Sequence, residues 1–348
     1  MSGDIGAELA DSVRAANGPL RVRGSGSKDF YGAEPTGAIL DTRGHAGIVD
    51  YEPTELVITA RAGTPLAAVE AALAQQNQML AFEPPHFGPS ATIGGCVAAG
   101  LAGPRRAMAG AVRDFVLGVR LLDCHGHALR FGGQVMKNVA GYDVSRLVAG
   151  SLGTLGVILD VSLKVLPRPA AEATLRFELP VARALATMNQ WAGKPLPISA
   201  TAWCDDTLSV RLSGARAAVA AAREQLGGEV LALETAAQFW TDLREQRLDF
   251  FATAAPLWRL SLPAAAAAAE LPGATLVEWG GAQRWLHGDI DSLRLREVAA
   301  QLGGHATLFR GGDKAVGVFQ PLAAGLVALN RRVRQALDAR GVFDTGRL

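Results

Sequence analysis

The sequence lacks an excess of charge of either sign. Its 348 residues include 34 Lys and Arg against 33 Asp and Glu, so the formal net charge is +1 at pH 7. Proteins that bind nucleic acid usually carry a basic excess or patch, so we expect no nucleic-acid partner here. The 49% hydrophobic content and a length that allows two domains indicate a globular chain with a large core.

Cysteine is scarce as well. Cys96, Cys124 and Cys204 are scattered along the chain, which gives neither a disulfide framework nor the spacing of a metal site. A reducing compartment follows by default, and we expect a cytoplasmic protein. An iron–sulfur cluster needs a cysteine cluster, so any such centre should lie on another chain.

Long apolar segments are missing too. The longest uncharged run, Pro84–Pro104, contains four prolines and five glycines, and such a segment is a poor membrane-spanning helix. Asp4, Glu8 and Asp11 interrupt the N-terminal segment, which is therefore unlike a secretory signal. We expect any association with a membrane to occur through a partner.

Neither of the two common nucleotide-binding loops is present. Arg23–Lys28 reads Arg-Gly-Ser-Gly-Ser-Lys, but Asp29 stands where the third glycine of G-x-G-x-x-G would be, and no Gly-Lys-Ser/Thr occurs. The glycines of this loop permit conformations in which successive N–H groups converge on an anion. An ordinary Gly-Ser turn explains the same residues equally well.

A second loop rich in small residues, Thr92–Gly100, follows about seventy residues later. Gly and Ala let the backbone approach a flat or charged ligand, although a tightly packed helix has the same composition. A diphosphate needs donors on both sides, so two such loops favour a cofactor site. A third element, Lys137–Asp143 followed by Gly150–Gly156, is consistent with the same site or with a solvated loop.

The hydrophobic pattern predicts mixed α and β structure. Pro167 and Pro169 indicate a domain boundary. The second half reads β-α-β-β-α-β, which is typical of a split α/β sandwich with an antiparallel sheet, and later elements are consistent with a second, partial copy. Helices are predicted at 4–16, 65–76, 239–250, 292–302 and 322–339, and strands at 37–41, 56–60, 112–122 and 156–165.

Four segments occur in the order RVRGSGSKDFYG, ATIGGCVAAGLAG, GAVRDFVLGVRLLD and MKNVAGYDVSRLVAGSLGTLGVILDVSLKVLPRP. Together they resemble the FAD-binding domain of the vanillyl-alcohol-oxidase/PCMH flavoprotein superfamily. In the second half, GAQRWL at 281–286, HATLFRGGDK at 305–314 and the final GRL are similar to the FAD-binding subunits of bacterial glycolate oxidases. With these segments the resemblance spans the whole chain.

The resemblance implies an α+β fold with FAD as cofactor. A PCMH-type FAD-binding domain of two α+β subdomains would occupy 1–170, and a ferredoxin-like substrate, cap or docking domain, an antiparallel sheet covered by helices, would occupy 171–318. A C-terminal helix and tail at 319–348 would return to the FAD domain. The residues implied to bind FAD are Arg23, Gly24, Ser25, Gly26, Ser27, Lys28, Thr92, Gly94, Gly95, Ala99, Asp114, Lys137, Asn138, Gly141, Tyr142, Asp143, Gly156, Val157, Ile158 and Arg347.

Departures from the family pattern bear on the chemistry. Members with covalent FAD often carry a His just after the first loop glycines, where this chain has Ser27 and Lys28, so non-covalent FAD is implied. Related flavin subunits and D-lactate dehydrogenases have a His-rich metal motif, of which only His287 is present in a comparable stretch. We therefore expect no metal site.

Three residues are candidates for catalysis. His86 lies in a rigid turn before the second loop, where it could face the flavin, and His305 is the other histidine worth testing. Arg310 could bind a substrate carboxylate through its planar fork; a surface ion pair is an equal alternative. The sequence alone leaves the catalytic base unassigned.

Three functions remain open. The first is an FAD subunit of a glycolate oxidase (glycolate dehydrogenase) complex, which oxidises glycolate or D-lactate beside a larger FAD-binding subunit and an iron–sulfur subunit. The second is a stand-alone FAD-dependent oxidoreductase for a 2-hydroxy acid or sugar lactone. The third is a non-catalytic flavoprotein subunit that stabilises a catalytic paralogue. A cell-wall enolpyruvyl reductase shares the FAD domain but would need a nicotinamide as reductant.

Overall fold

The computed structural model describes residues 4–133, 143–268, 273–288 and 290–348. The chain folds into two compact units. The first contains Met1–Leu101, Ala111–Pro167 and Pro321–Leu348, and the second contains Ala102–Gly110 and Arg168–Gln320. Each unit is therefore assembled from segments that are far apart in sequence.

The first unit mixes short helices with two kinds of sheet. Its N-terminal elements are α1 (Gly6–Ala15), β1 (Leu20–Arg23), β2 (Ala38–Asp41), β3 (Ile48–Glu52), β4 (Val57–Arg61), α2 (Leu66–Gln75), β5 (Gln78–Met79) and α3 (Ile93–Ala99). A short helix of the second unit follows, α4 (Arg106–Ala109). The first unit then continues with α5 (Val112–Phe115), β6 (Val116–Leu122), β7 (Ala128–Gly132), α6 (Val144–Leu147), β8 (Val157–Lys164) and β9 (Leu166–Pro167).

A five-stranded antiparallel sheet in the order β3-β4-β8-β6-β7 forms the centre of this unit. β8 is its middle strand and is almost wholly buried, because strands pair with it on both sides and α3 packs on it. β1 and β2 form a separate parallel pair. The end of β1 leads directly into the first glycine loop.

The segment Thr92–Gly100, predicted as a loop, is instead a helix over Ile93–Ala99. Thr92 caps it, since its side chain accepts a hydrogen bond from the N–H of Gly95. Small residues are needed because the helix packs directly on the end of β4: a Cβ on Gly94 would lie 2.5 Å from the Cβ of Ala62.

One other local prediction has the wrong start, and one strand was missed, each for a physical reason. The strand predicted at 112–122 begins only at Val116, because a turn of helix precedes it and Asp114 accepts a hydrogen bond from the N–H of Ala111 at 2.8 Å. β3 was not predicted. As an edge strand it is exposed or half-buried along its whole length, so it lacks the period-two apolar pattern of a half-buried strand.

The second unit is built on one eight-stranded sheet. Its helices are α7 (Val181–Ala192), α8 (Arg216–Leu226), α9 (Leu233–Arg244) and α10 (Ser292–Gln301). Its strands are β10 (Ala171–Glu178), β11 (Ile198–Cys204), β12 (Thr207–Gly214), β13 (Glu229–Val230), β14 (Leu257–Ser261), β15 (Ala274–Glu278), β16 (Gln283–His287) and β17 (His305–Arg310). The predicted β-α-β-β-α-β order of β10 to β13 is confirmed. The helix predicted at 239–250 lies at Leu233–Arg244, and β16 was not predicted.

The sheet order β13-β10-β12-β11-β15-β16-β14-β17 contains the same arrangement twice. If the strands of each half are numbered one to four, both halves have the order 4-1-3-2, and they join through their second strands, β11 and β15. The predicted second copy is therefore present. It is partial because the segment between β14 and β15 forms no helix among its described residues.

After β17 the chain returns to the first unit as α11 (Ala324–Leu337) and a tail over 338–348. Phe343 of the tail is fully buried in a core shared with α1. Asp338 holds the turn that precedes it, by accepting hydrogen bonds from the N–H groups of Val342 and Phe343. Across the described ranges, we find no helix with the length and apolar character that crossing a membrane requires.

Candidate functional site

A groove opens in the first unit. The loop after β1, helix α3 and the chain around the start of β8 form its walls. Thirteen of the residues predicted to bind FAD line it, and these are Arg23, Gly24, Ser25, Gly26, Ser27, Lys28, Thr92, Gly94, Gly95, Ala99, Gly156, Ile158 and Arg347. The structure thus brings together both glycine-rich segments and the tail.

The loop after β1 reaches α3 because two of its residues lack a side chain. A Cβ on Gly24 would lie 2.5 Å from Oγ1 of Thr92, so a larger residue cannot approach α3 this closely without a shift. Gly26 has a φ of +80°, a left-handed conformation that favours glycine. The two glycines therefore bring backbone, rather than side chains, to the groove.

Asp29, which stands where the third glycine of G-x-G-x-x-G would be, fixes the conformation of this loop. Its carboxylate accepts hydrogen bonds from Nε of Arg23 at 2.7 Å and from Nη2 of Arg21 at 2.9 Å. Its N–H donates to the carbonyl of Gly26 at 3.0 Å. Two guanidinium groups against one carboxylate leave one positive charge in excess beside the groove.

The backbone of this loop also supplies donors for an anion. Within the described chain, the N–H groups of Ser25 and Gly26 donate to no protein acceptor. Adjacent free N–H groups in a turn that contains a left-handed residue form an anion-binding concavity. With the positive charge beside them, they suit the diphosphate of a dinucleotide cofactor.

Helix α3 contributes surface rather than donors. The N–H groups of Ile93 and Gly94 donate to the carbonyls of Thr64 and Ala62 at 2.9 and 2.8 Å, and that of Gly95 donates to the Thr92 side chain at 3.2 Å. These first amides are not available to a diphosphate, contrary to the expectation of donors on both sides. The small residues of α3 give the groove a flat wall instead.

Lys28 places a second positive charge at the groove. Its side chain is only 8% exposed, and Nζ donates to the carbonyl of His86 at 3.1 Å and lies 5.7 Å from the centre of the Phe87 ring. A lysine has three donor hydrogens, so these contacts position the ammonium group. The charge remains beside the loop that would hold the diphosphate.

Arg347 braces the same loop from the tail. Its Nη2 donates to the carbonyls of Lys28 at 2.9 Å and Tyr31 at 3.0 Å, and its Nε donates to Tyr31 at 3.2 Å. Burial lowers the pKa of Arg347 from its ordinary value, although a guanidinium stays charged at neutral pH. The resemblance implied a cofactor ligand; the structure shows that this side chain also fixes the backbone of the loop.

Some predicted cofactor residues are placed elsewhere or lie outside the described residues. Asp114 caps α5 as described above, and Asp143 begins α6 by accepting a hydrogen bond from the N–H of Arg146 at 3.2 Å. Val157 is fully buried in the core shared with α1. Those outside the described residues are Lys137, Asn138, Gly141 and Tyr142.

Sequence reasoning also missed part of the groove. The groove residues it did not include are Val22, Asp29, Thr42, Ala62, Ala98, Leu152 and Gly153. Leu152 and Gly153 both have positive φ, and the glycine-dense run around them was the available signal. Thr42 and Ala62 follow the ends of β2 and β4, and nothing in their local sequence marks them.

The three catalytic candidates are not among the residues that line the groove. Nε2 of His86 lies 3.0 Å from a carboxylate oxygen of Glu70 on α2. His305 and Arg310 are the first and last residues of β17 in the second unit. Partial burial and the charge of Arg259 lower the pKa of His305, and burial lowers that of Arg310.

Neither the cysteine next to this groove nor the described His, Cys, Asp and Glu side chains indicate thiol or metal chemistry. Cys96 lies inside α3, and its burial raises the pKa of the thiol to about 12, so it is protonated at neutral pH and is a poor nucleophile. Among the described residues, no three His, Cys, Asp or Glu side chains are grouped so that they could hold a metal ion.

Comparison with known proteins decides the family. Residues 6–132 match the model of an FAD binding domain. The chain is 53% identical to glycolate oxidase subunit GlcE of Escherichia coli K12 over 330 residues, which are 95% of this chain and 92% of that protein. The chain belongs to the GlcE family of glycolate oxidase subunits. FAD is the cofactor of this GlcE-family chain.

Other proteins share a part of the GlcE-family sequence or its fold. Glycolate oxidase subunit GlcD of Bacillus subtilis is 32% identical over 160 residues, 45% of this chain and 34% of that protein. D-lactate dehydrogenase of Archaeoglobus fulgidus is 30% identical over 185 residues, 52% of this chain and 41% of that protein. A structure of alkyldihydroxyacetonephosphate synthase has a TM-score of 0.68 at 15% identity, covering 99% of this chain and 75% of its own. The predicted α+β, PCMH-type fold is confirmed.

The close approach at Gly24 gives a first prediction. In Gly24→Ala, the new Cβ would meet Oγ1 of Thr92 at 2.5 Å, so the loop must move away or Thr92 must abandon its cap. Overpacking of this kind costs roughly 1–3 kcal/mol, and we expect FAD affinity to fall about tenfold to hundredfold. Fluorescence titration of the apoprotein with FAD measures this affinity.

Gly18→Ala is the matched control for Gly24→Ala, since nothing lies within 4 Å of a Cβ at Gly18. This variant should bind FAD as the wild type does. If Gly24→Ala also bound FAD with wild-type affinity, the loop would not depend on its contact with α3.

The role of Arg347 gives a second prediction. Lysine keeps the charge but lacks the planar fork that reaches two carbonyls, so Arg347→Lys should weaken FAD binding about tenfold, nearly as much as Arg347→Met. Arg340→Lys is the control, because Arg340 also donates to several carbonyls of the first unit but does not line the groove. FAD affinity retained in Arg347→Lys would mean that charge alone matters.

Proposed function

We propose that the chain is the FAD-binding subunit of a glycolate oxidase complex that oxidises glycolate to glyoxylate. The observation that carries this proposal is 53% identity over nearly the full length of a glycolate oxidase subunit, together with a groove suited to a dinucleotide. When bound, FAD supplies a carrier that accepts a hydride from an alcohol carbon and passes electrons onward.

Within this proposal, the chain's own residues mainly bind and orient. The free N–H groups of Ser25 and Gly26 and the charge of Lys28 hold the diphosphate, and α3 provides the flat wall. His305 and Arg310 occupy the two ends of β17 in the second unit, about 17 Å apart at the rise of a strand, so they cannot both contact one molecule of glycolate. Of the two, Arg310 is the candidate for binding a substrate carboxylate.

The proposed partners are a larger flavin subunit that resembles GlcD and a separate iron–sulfur subunit. This chain contains three cysteines, whereas an iron–sulfur cluster is usually held by four thiolates, so such a cluster would lie on another chain. A cytoplasmic location, with any attachment to the inner membrane through these partners, belongs to the same proposal.

A second candidate function is a non-catalytic flavoprotein subunit. It is favoured by the placement of the catalytic candidates, because His86, His305 and Arg310 are not among the groove-lining residues. In that case substrate oxidation would occur on the companion flavin subunit. A stand-alone 2-hydroxy-acid or sugar-lactone oxidoreductase differs from both, since it needs no partner for turnover.

Non-covalent attachment of FAD is a third prediction. Ser27 and Lys28 follow the loop glycines, and Cys96 has a pKa of about 12, so no activated nucleophile is present at these positions. Precipitating the holoprotein with acid should therefore release all of its flavin into the supernatant. Yellow colour that stays with the precipitate would show a covalent bond.

Anaerobic addition of glycolate gives the fourth prediction. The visible flavin absorbance of the purified complex should bleach, and so should that of the isolated chain if its own residues perform the oxidation. Bleaching of the complex but not of the isolated chain would favour the non-catalytic role. If neither bleaches, the proposed substrate is wrong.

Two flavin subunits in one complex would make bleaching ambiguous, so the Gly24→Ala chain is also assembled into the complex. This variant should load little FAD. Turnover with an artificial electron acceptor should then fall in proportion to the lost flavin if electrons pass through this subunit. Gly18→Ala provides the matched control.

A further inference from the structure

Helix α11 exposes an apolar ridge. Leu322, just before the helix, and Leu326 and Leu329 within it are 53%, 50% and 47% exposed. Leu326, Leu329 and Val333 follow the spacing i, i+3 and i+7, which places them along one face of the helix. Every residue from 321 to 332 is exposed, so the described protein leaves this ridge uncovered.

Among the described residues, the contacts that hold α11 to the first unit lie in the last part of the helix. Arg334 donates to the carbonyl of Leu348 at 2.8 Å and lies 3.6 Å from the carboxylate of Asp344. Val333 and Leu337 are half-buried, and they continue the same ridge toward the body of the unit. The ridge therefore begins against this chain and extends into solvent.

A helix of this length needs packing for its stability. Isolated helices shorter than about 12–15 residues are marginal in water, and tertiary packing of the apolar face normally stabilises them. α11 has 14 residues, no side-chain cap at Ala323, and Gly325 in its first turn. The leucines of the ridge are placed where a second surface would cover them.

The charge of α11 indicates what that surface looks like. Arg331, Arg332 and Arg334 lie on the helix, and there is no Asp or Glu from Lys314 to Leu337. Arg331 and Arg332 are exposed. A complementary surface would present an apolar groove edged by carboxylates.

We propose that α11 is the helix on which this chain docks to a companion subunit of its oxidase complex, by laying the ridge of Leu326, Leu329 and Val333 into an apolar groove with an acidic rim. The inference rests on the proposed function, since the family of glycolate oxidase subunits implies a companion chain. Helices recognised in this way use anchors at i, i+3, i+4 and i+7, which is the spacing here.

The test compares two double variants of the full chain, each co-expressed with the companion flavin and iron–sulfur subunits. Leu326→Glu with Leu329→Glu places two charges on the ridge. Ala324→Glu with Ala328→Glu places the same charges on the opposite, exposed face of the helix. Size-exclusion chromatography with light scattering measures the fraction in the complex, and FAD content reports that the groove is intact.

The ridge variant should keep its FAD and bind the companion subunits at least tenfold more weakly, whereas the opposite-face variant should assemble normally. Arg331→Glu with Arg332→Glu should weaken assembly mainly at low salt. Normal assembly of the ridge variant would overturn the inference but leave the proposed function standing. Failure of the wild type to form any complex would overturn both.

Two further results would also contradict this choice of partner. If the wild type alone is a dimer and the ridge variant is a monomer, the ridge joins two copies of this chain. If the wild type binds vesicles of anionic lipid and the ridge variant does not, the ridge is a membrane-surface helix.

Discussion

The contact between Gly24 and Thr92 determines the groove. Thr92 has two roles, because its hydroxyl caps α3 through Gly95 and its side chain is the surface against which the loop after β1 packs. On the other side, α3 is fixed to the end of β4 by the approach of Gly94 to Ala62. The two walls are therefore set by contacts that tolerate no additional carbon atom, and the positions of Ser25 and Gly26 follow from them.

The local sequence predicted the features that depend on local chemistry. The loop at 23–28, the ferredoxin-like order of β10 to β13 and the chain's return to the first unit follow from glycine content, periodicity and resemblance. The sequence could not separate a glycine-rich loop from a helix at α3, because small residues suit both. The hydrogen bonds by which Arg347 braces the loop could not be predicted either, because their acceptors, Lys28 and Tyr31, lie more than three hundred residues away in sequence.

The second unit shows why a repeated fold can be invisible in sequence. Its two halves share a strand order, which is a property of the backbone, but they fill it with different residues. Where the first half has α7, the described part of the corresponding segment, residues 262–268, forms no helix and is held by Arg284. This side chain is 2% exposed and donates to the carbonyls of Ala266 and Ala267 at 2.5 and 2.7 Å. A buried guanidinium is tolerated there because carbonyl dipoles replace its water.

Carbonyl partners have a different consequence at the groove. Arg21 and Arg23 share the single carboxylate of Asp29, whereas the guanidinium of Arg347 donates to uncharged carbonyls, which satisfy its hydrogen bonds without neutralising it. Arg21, Arg23 and Arg347 therefore place more positive charge around the loop than the carboxylate of Asp29 offsets, which suits a negatively charged ligand. Since a ligand that binds only the folded state stabilises that state, a cofactor bound in this groove would add to the stability of the first unit.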